Sequence, residues 1–305
     1  MRRTFSDYIE KLSTENPDLV FITGDLGFNA FENLKKVMGD RFINAGVAEQ
    51  SMVSMAAGMA SKGHRVIVYS IAPFIVYRAL EQIRNDVCFH NMPVFLVGNG
   101  GGYGYGIMGS SHHALSDIAA LSSLPNITTY IPAFKEDVPM ALDQIMENRK
   151  PAYLRLGLGK TFKNHRQELP VFYRVHANPI SKLTIAILGP VVWNLLEAEG
   201  FAEVSKYVDV FTVNKMPVST FSDEFELSLR KTGRLFVAEE HVEEGGLASE
   251  LVLKSLQRGI KLVGFKNRFA VNYPDNLYGD QAYHQKQSGL DGKTLINDII
   301  ELLSK

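Results

Sequence analysis

The stretch Asn44-Ala-Gly-Val-Ala-Glu-Gln-Ser51 decides how the rest of the chain is interpreted. Its glycine predicts a turn, and the turn places Glu49 at the start of a predicted helix over residues 49–61. Small and apolar residues make up most of this helix, and helices that are apolar on all sides are normally buried. A carboxylate at the start of such a helix either offsets the helix dipole or serves as a working acid. Glu49 is therefore the first candidate for a functional residue.

Length and composition are those of an ordinary globular chain. It has 305 residues, enough for two domains, of which 46% are hydrophobic and 21% charged. The net charge of −1 gives no electrostatic argument for binding nucleic acid or an anionic membrane. The single cysteine, Cys88, cannot form an internal disulfide, the N-terminus lacks an apolar secretory segment, and no apolar run reaches the ~18 residues of a membrane span. We therefore expect a cytoplasmic protein.

Short β-branched segments alternate with helical patterns, which is typical of a parallel sheet covered by helices on both faces. The first half has predicted strands at 19–23, 66–70, 94–98, 127–131 and 152–156, and predicted helices around 6–13, 49–61, 79–88, 117–122 and 136–147. A polar segment at 160–178 interrupts this alternation. The second half has predicted strands at 184–188, 208–213, 235–238 and 260–265, and predicted helices from 193, at 246–257 and at 294–303. The sequence thus predicts two tandem open α/β three-layer domains, residues 1–165 and 181–305, joined by a linker at 166–180.

Ligands of open α/β sheets bind outside the carboxyl ends of the strands, so the loops there provide further candidates. Asp25 follows the first predicted strand, where it is either a turn former or a ligand contact. Phe74 and Tyr77 follow the second strand, three residues apart on one predicted helix face, a spacing that also suits plain core packing.

A glycine-rich loop, residues 98–113, follows the third strand and ends in His112-His113. So much glycine costs chain entropy, which indicates unusual dihedrals or a close approach to a ligand. The loop contains G-x-G-x-x-G at Gly104, Gly106 and Gly109, but no apolar helix follows directly, and a dinucleotide site is rejected. Adjacent histidines point to opposite sides and no cysteine cluster accompanies them, so this chain is predicted to hold no metal.

In this order and spacing, the motifs resemble those of the transketolase family of thiamine diphosphate enzymes. The matching motifs are G-D-L, G-V-A-E-Q, S-x-x-x-F-x-x-Y-R-A-x-E-Q-I-R, the glycine-rich loop ending in histidine, L-P-N and P-A-Y-L-R-L-G. They cover the pyrimidine-binding domain strongly, and the transketolase C-terminal domain more weakly through Gly189, residues 237–241 and Gly245-Gly246. The resemblance implies both of these folds and thiamine diphosphate as the cofactor.

The resemblance also implies roles for single residues. Glu49 looks like the glutamate that hydrogen-bonds the pyrimidine ring of the cofactor and so promotes its activation. Phe74 matches the residue that stacks on the pyrimidine, and Tyr77 matches a second wall. His112 aligns with a catalytic histidine that faces the reacting oxygens of the substrate. The remaining positions implied in cofactor binding are Asp25, Leu26 and Ile71.

The substrate positions depart from the family pattern. Met108 stands where the family has an aspartate that binds a hydroxyl group, and Leu158 stands where it has a phosphate-binding arginine. Because a buried anion without donors is costly, ordinary pentose phosphates are doubtful substrates. The positions implied in substrate binding are Arg2, Asn29, Asn99, His112 and His113.

One part of a full-length transketolase has no counterpart in this sequence. The family's diphosphate-binding domain carries G-D-G and a later asparagine that hold Mg²⁺, whereas Gly24-Asp25-Leu26 and Gly279-Asp280-Gln281 are both incomplete. The resemblance therefore implies a separate N-terminal subunit that supplies the diphosphate site and the Mg²⁺ ligands. This chain would pair with itself inside an α2β2 assembly.

The leading hypothesis is the C-terminal half of a split transketolase-like enzyme that transfers a two-carbon ketol unit between sugar-like substrates. Two other enzymes remain open: the beta subunit of an α-ketoacid dehydrogenase, and a decarboxylating synthase that condenses pyruvate with an aldehyde and releases CO₂. The non-enzyme alternative is a regulatory subunit with a vestigial cofactor pocket. In the second domain, His241 beside Glu239 and Glu240 is interpreted as a satisfied polar loop, and His284 receives no role.

Overall fold

A computed structural model of the chain describes residues 1–27, 29–162, 166–271 and 278–304. The strands are β1 Leu19–Thr23, β2 Phe42–Asn44, β3 Arg65–Ile71, β4 Val94–Asn99, β5 Thr128–Tyr130, β6 Ala152–Leu156, β7 Phe172–His176, β8 Leu183–Leu188, β9 Val208–Val213, β10 Lys215–Met216, β11 Arg234–Ala238 and β12 Gly264–Arg268. The helices are α1 Arg2–Glu15, α2 Glu32–Met38, α3 Glu49–Ala60, α4 Leu80–Gln82, α5 Asp117–Ser122, α6 Asp137–Asn148, α7 Val192–Leu196, α8 Phe201–Val204, α9 Asp223–Thr232, α10 Leu247–Gln257, α11 Gln281–Gln287 and α12 Gly292–Ser304. Within the described ranges, every helix is too short or too polar to cross a bilayer.

The first sheet has the order β10-β5-β6-β4-β3-β1-β2 and is parallel except for β10. Every residue of β1 and β6 is buried, because helices cover both faces of the sheet. One face packs a cluster that includes Phe5, Phe21 and Tyr69, and the other packs a cluster around Met52 of α3. These two apolar layers confirm the predicted α/β fold of the first half.

The strand order reverses direction at β1. The chain runs from β1 to β2 on one side and then crosses to β3 on the other side of β1. In open α/β sheets such a reversal leaves a crevice outside the carboxyl ends of the two strands. Thr23 ends β1 and Ile71 ends β3, so the loops after these two residues border the crevice.

The second sheet has the order β12-β11-β8-β9-β7, with β7 antiparallel to β9. Helices again pack on both faces, around Phe225 on one side and Phe236 on the other. The predicted linker at 166–180 is therefore partly wrong, because Phe172–His176 forms the edge strand of this sheet. Residues 163–165, which include the predicted domain boundary, lie outside the described residues.

A two-residue strand connects the domains. β10 follows β9 in the chain, yet it pairs antiparallel with β5 of the first sheet, with Lys215 opposite Tyr130. The next residue, Ile131, donates its backbone N–H to the carbonyl of Asn214 at 2.7 Å. The second domain thereby extends the edge of the first sheet.

The predicted strand at 260–265 is shifted in the structure, where β12 spans Gly264–Arg268. Ile260 is instead part of the C-terminal cap of α10. Its N–H donates to the Ser255 carbonyl at 2.9 Å, and Gly259, with φ of 65°, donates to Leu256 at 3.0 Å. This pair of bonds is the Schellman motif, which buries an apolar residue just beyond a helix.

Candidate functional site

Asn44 organises the turn that leads into α3. Its side-chain oxygen accepts the backbone N–H of Asp25 at 2.9 Å and of Gly46 at 3.0 Å. Gly46 has φ of 71°, a backbone conformation that favours glycine. The loop after β1 and the loop after β2 are thus tied together, and the chain enters α3 with Glu49 as its first residue.

The Glu49 carboxylate is buried, with 3% of the residue exposed. Its Oε1 accepts a hydrogen bond from the Ser70 hydroxyl at 3.0 Å, and its Oε2 accepts one from Arg78 Nη1 at 3.1 Å. A cavity reaches it from outside, lined by Val47, Ala48, Glu49, Gln50, Ser51 and Arg78. A carboxyl group in this position can bind a ligand nitrogen or hold a proton for it.

Phe74 begins a π-helical turn, Phe74–Arg78, that follows β3. Turns of this type are frequent at functional sites. The turn brings Arg78 back over its first residue, with the guanidinium carbon 3.9 Å from the centre of the Phe74 ring. His112 contacts the same ring edge to face, at 5.0 Å between centroids. Phe74 and His112, predicted from separate loops, therefore lie together, and Arg78 joins Phe74 to Glu49.

Tyr77 is fixed by α5 rather than by Glu49. Its hydroxyl accepts the backbone N–H of Ser116 at 3.0 Å and lies 3.0 Å from the Ser116 hydroxyl. Burial raises the pKa of the Tyr77 hydroxyl, although 40% of the residue remains exposed. The structure thus shows what anchors Tyr77, and its role as a second wall stays a prediction.

Asn99 and His112 meet through Tyr105, a residue that no sequence motif singles out. The Asn99 amide donates to the Tyr105 hydroxyl at 2.6 Å, and the Tyr105 ring lies 6.2 Å from that of His112. Ile71 is opposite Asn99 in the pairing of β3 and β4. The glycine-rich loop permits this arrangement because Gly100, with φ of 78°, has no side chain to overlap the Tyr105 ring.

Arg2 and Asn29 line a different cavity, of about 530 Å³. The Asn29 backbone N–H donates to Glu32 at 2.7 Å, which holds the loop at the start of α2. Burial raises the pKa of Tyr69, and the nearby charge of Arg2 opposes that rise. The two predicted substrate residues therefore lie together, but they do not share the cavity that Glu49 lines.

His113 does not join the cluster formed by Phe74, Tyr105 and His112. It is buried beneath the glycine-rich loop, edge to face with Tyr103 at 5.1 Å and with His284 of the second domain at 4.8 Å. Burial lowers the pKa of His113. Its geometry suits packing between the domains, because the imidazole lies among other rings rather than at a cavity surface.

The polar residues after β11 are satisfied inside the protein, as expected from the sequence. Glu239 accepts the N–H groups of Leu247 and Ala248 at the start of α10, and His241 Nε2 accepts that of Ala119 at 3.1 Å. Burial raises the pKa of Glu239 to about 8 and lowers the pKa of His241 to about 4. Among the residues that the structure describes, no group of three or more His, Cys, Asp or Glu side chains could hold a metal ion.

A buried carboxylate and an aromatic ring near the strand reversal of the first α/β domain, followed by a second α/β domain, place the chain among the two-domain α/β proteins. Residues 1–161 match the family model described as the pyrimidine-binding domain of transketolase. The chain therefore belongs to the transketolase family, as predicted, and this is a family of thiamine diphosphate-dependent enzymes.

Curated relatives of two kinds align with nearly the whole chain. One subunit of the apulose-4-phosphate transketolase from Phocaeicola vulgatus is 26% identical, over 100% of this chain and 97% of that protein. The corresponding subunit from Actinobacillus succinogenes is 27% identical, over 88% of this chain and 86% of that protein. The 1-deoxy-D-xylulose-5-phosphate synthase 1 of Geobacter metallireducens is 29% identical, over 94% of this chain but only 46% of that protein.

Two solved structures have the same fold. One is described as a split gene transketolase in an inactive β4 tetramer, with a TM-score of 0.84 at 24% identity over 99% of this chain and 98% of that chain. The other is transketolase from Campylobacter jejuni, with a TM-score of 0.78 at 16% identity over 98% of this chain and 46% of that chain. At these identities the likeness establishes the fold alone.

The residues around Glu49 fit the aminopyrimidine end of thiamine diphosphate. The Arg78 guanidinium, a planar group with N–H donors, lies on Phe74 and bonds to Glu49 at the same time. The site therefore accommodates a flat, nitrogen-rich group between an aromatic face and a buried carboxylate. A pyrimidine ring with an amino substituent needs the same two groups, an aromatic face to stack on and a carboxylate to bond with.

Proposed function

We propose that the chain is the pyrimidine-binding, C-terminal half of a split transketolase-like enzyme that transfers a two-carbon ketol unit between sugar-like substrates. The observation that carries this proposal is the buried Glu49 carboxyl, which Arg78 links to the Phe74 ring at the strand reversal of the first sheet. The end-to-end similarity to proteins that are named as single subunits of a transketolase supports it.

Glu49 and Phe74 would hold the pyrimidine ring of the cofactor. When bound, thiamine diphosphate supplies the carbanion chemistry and the electron sink that ketol transfer needs. Ser70 donates to Oε1 of Glu49 and Arg78 donates to Oε2, and the carboxyl group that they hold would bond to the ring nitrogen. Because Glu49 is buried, this hydrogen bond would form with little competition from water.

His112 would contact the substrate. Its Nδ1 lies 3.0 Å from the Ser111 hydroxyl, so Nε2 is the nitrogen that would donate to, or accept a proton from, a substrate oxygen. Its edge-to-face contact with Phe74 would place it beside the bound cofactor. Asn99, held by Tyr105, would contribute a polar group on the same side.

A second polypeptide would complete the enzyme. We assign to it the diphosphate site and the Mg²⁺ ligands, and we place the catalytic centre where it meets this chain in an α2β2 assembly. The apulose-4-phosphate transketolase relatives are named as subunits, which implies that each works with a second chain. A partner of the same kind for this chain is part of the proposal. A cytoplasmic location fits the same proposal.

The test is a tagged form of this chain, purified with its native partner and supplied with thiamine diphosphate, Mg²⁺ and a panel of phosphorylated and free ketoses. Glu49→Gln should reduce thiamine diphosphate-dependent ketol transfer by at least about 10²-fold, because the proton-holding group is lost. Glu81→Gln, at an exposed glutamate of α4, is the matched control and should retain activity. Unchanged turnover in Glu49→Gln would remove Glu49 from its proposed role.

A second candidate is a decarboxylating synthase that condenses pyruvate with an aldehyde. It is favoured by the similarity to 1-deoxy-D-xylulose-5-phosphate synthases, which align with 94% of this chain or more. The same purified assembly decides between the two, since pyruvate-dependent release of CO₂ belongs only to the synthase. An assembly that never binds thiamine diphosphate would instead favour a regulatory role.

A further inference from the structure

One side chain of this protein already contacts both groups that we assign to the cofactor. Arg78 donates to Oε2 of Glu49 at 3.1 Å, and its guanidinium carbon lies 3.9 Å from the centre of the Phe74 ring. The Glu49 carboxylate is 3% exposed, whereas the Arg78 side chain is 46% exposed. The arginine therefore reaches into the site from the protein surface.

The arginine and a pyrimidine ring compete for the same contacts. The covered face of Phe74 can carry one planar group at van der Waals distance, and the guanidinium lies on it. Oε1 of Glu49 accepts from the buried Ser70 and Oε2 accepts from the partly exposed Arg78, so Oε2 is the oxygen whose present donor can move away.

The local backbone allows the arginine to leave. Arg78 is the last residue of the π-helical turn, and its neighbour Tyr77 is fixed to Ser116 by two hydrogen bonds. A movement is thus confined to the long, flexible arginine side chain, which is 46% exposed. No rearrangement of α3 or of β3 is required.

We propose that Arg78 is a built-in competitor that occupies the pyrimidine site and is displaced outward when the cofactor binds. The proposal rests on the proposed function, because it takes Glu49 and Phe74 as the cofactor contacts. It makes the apparent dissociation constant of the cofactor equal to the intrinsic constant divided by the fraction of chains with Arg78 displaced. If about one chain in ten is open, removing the arginine should tighten binding about tenfold.

The experiment is calorimetric titration of thiamine diphosphate, at saturating Mg²⁺, into the cofactor-free assembly of this chain with its partner. Arg78→Ala should lower the dissociation constant about tenfold, and Arg78→Gln should give a smaller decrease because the amide can still donate to Glu49. Arg84→Ala is the matched control, since Arg84 is exposed in the following turn and bonds only to the neighbouring Asn85 among the contacts described. Its binding should equal that of the wild type.

Arg78→Gln also keeps the test valid if Arg78→Ala fails to fold after losing the partner of a buried carboxylate. If the folded Arg78 variants bind thiamine diphosphate as the wild type does, or more weakly, Arg78 is not a competitor. The proposed function then remains intact. Absence of binding in every form, wild type included, overturns the proposed function and the competitor with it. Tighter binding in the Arg78 variants alone supports the proposal.

Discussion

The Ser70 hydroxyl lies 3.0 Å from Oε1 of Glu49 and donates to it across the gap between β3 and α3. Ser70 is fully buried, whereas Arg78, the other partner of the carboxylate, is half exposed. The serine is therefore the partner that fixes the orientation of Glu49, and the end of β3 sets the direction in which the carboxylate points.

Replacing Ser70 by alanine should lower the free energy of unfolding by about 1–2 kcal/mol, because a buried acceptor loses its donor. Ser54→Ala is the matched control, since Ser54 also donates to a carboxylate, that of Asp86, but at the protein surface. Its loss should stay below about 0.5 kcal/mol. Urea unfolding of both variants measures the difference, and equal losses would show that Ser70 does not hold the carboxylate.

Gly100→Ala should cost more stability than Gly259→Ala. Both glycines have positive φ, 78° and 65°, so each alanine variant carries a backbone penalty of about 1 kcal/mol. A Cβ at Gly100 overlaps the Tyr105 ring, whereas a Cβ at Gly259 meets nothing within 4 Å. We expect the loss of unfolding free energy in Gly100→Ala to exceed that in Gly259→Ala by about 1–3 kcal/mol, the usual cost of overpacking, in denaturant unfolding. Equal losses would mean that Tyr105 moves aside freely.

The central strands and the position of Glu49 could be predicted from the sequence because the signals are local. Strands β1 and β6 were predicted with their observed bounds, since each is a short, mainly apolar run that is followed by a glycine. Glu49 follows from a glycine turn that leads into a helix of small apolar residues. Neither inference depends on contacts between residues that are far apart in the sequence.

Edge strands and the arginine contact could not be predicted in the same way. β10 has two residues and its pairing with β5 depends on how the domains dock, so no periodicity marks it. Arg78 follows Phe74 at the ordinary helical spacing of four residues, but its bond to Glu49 depends on how the segment after β3 packs against α3. The packing of His113 on His284 likewise depends on tertiary structure.

Asp117→Ala should destabilise the protein strongly. Asp117 is fully buried and accepts hydrogen bonds from Arg155 at 2.9 Å and from the Tyr153 hydroxyl at 2.8 Å. Removing it leaves the buried Arg155 charge unpaired, which costs about 3–5 kcal/mol. Glu203→Ala, which breaks the exposed pair with Lys206, should cost less than about 1 kcal/mol. Similar losses in chemical unfolding would contradict a structural role for the buried pair.

Because of Glu239, the free energy of unfolding should fall as the pH rises. Burial raises its pKa from 4.5 to about 8, so the folded protein holds a proton that the unfolded chain releases. The resulting stabilisation is fully present below about pH 4.5 and is lost as the pH rises through about 8.

The window from about pH 7 to about pH 8.5 separates this effect from that of His241. Burial lowers the pKa of His241 to about 4 from 6.5, so its imidazole is neutral in the folded protein there and largely neutral in the unfolded chain. Across that window, the wild type should lose stability relative to Glu239→Gln, whose amide does not titrate. Urea unfolding at half-unit pH steps measures the difference between the two proteins. Parallel pH profiles would show that Glu239 is already ionised in the folded protein, held by the N–H groups of Leu247 and Ala248.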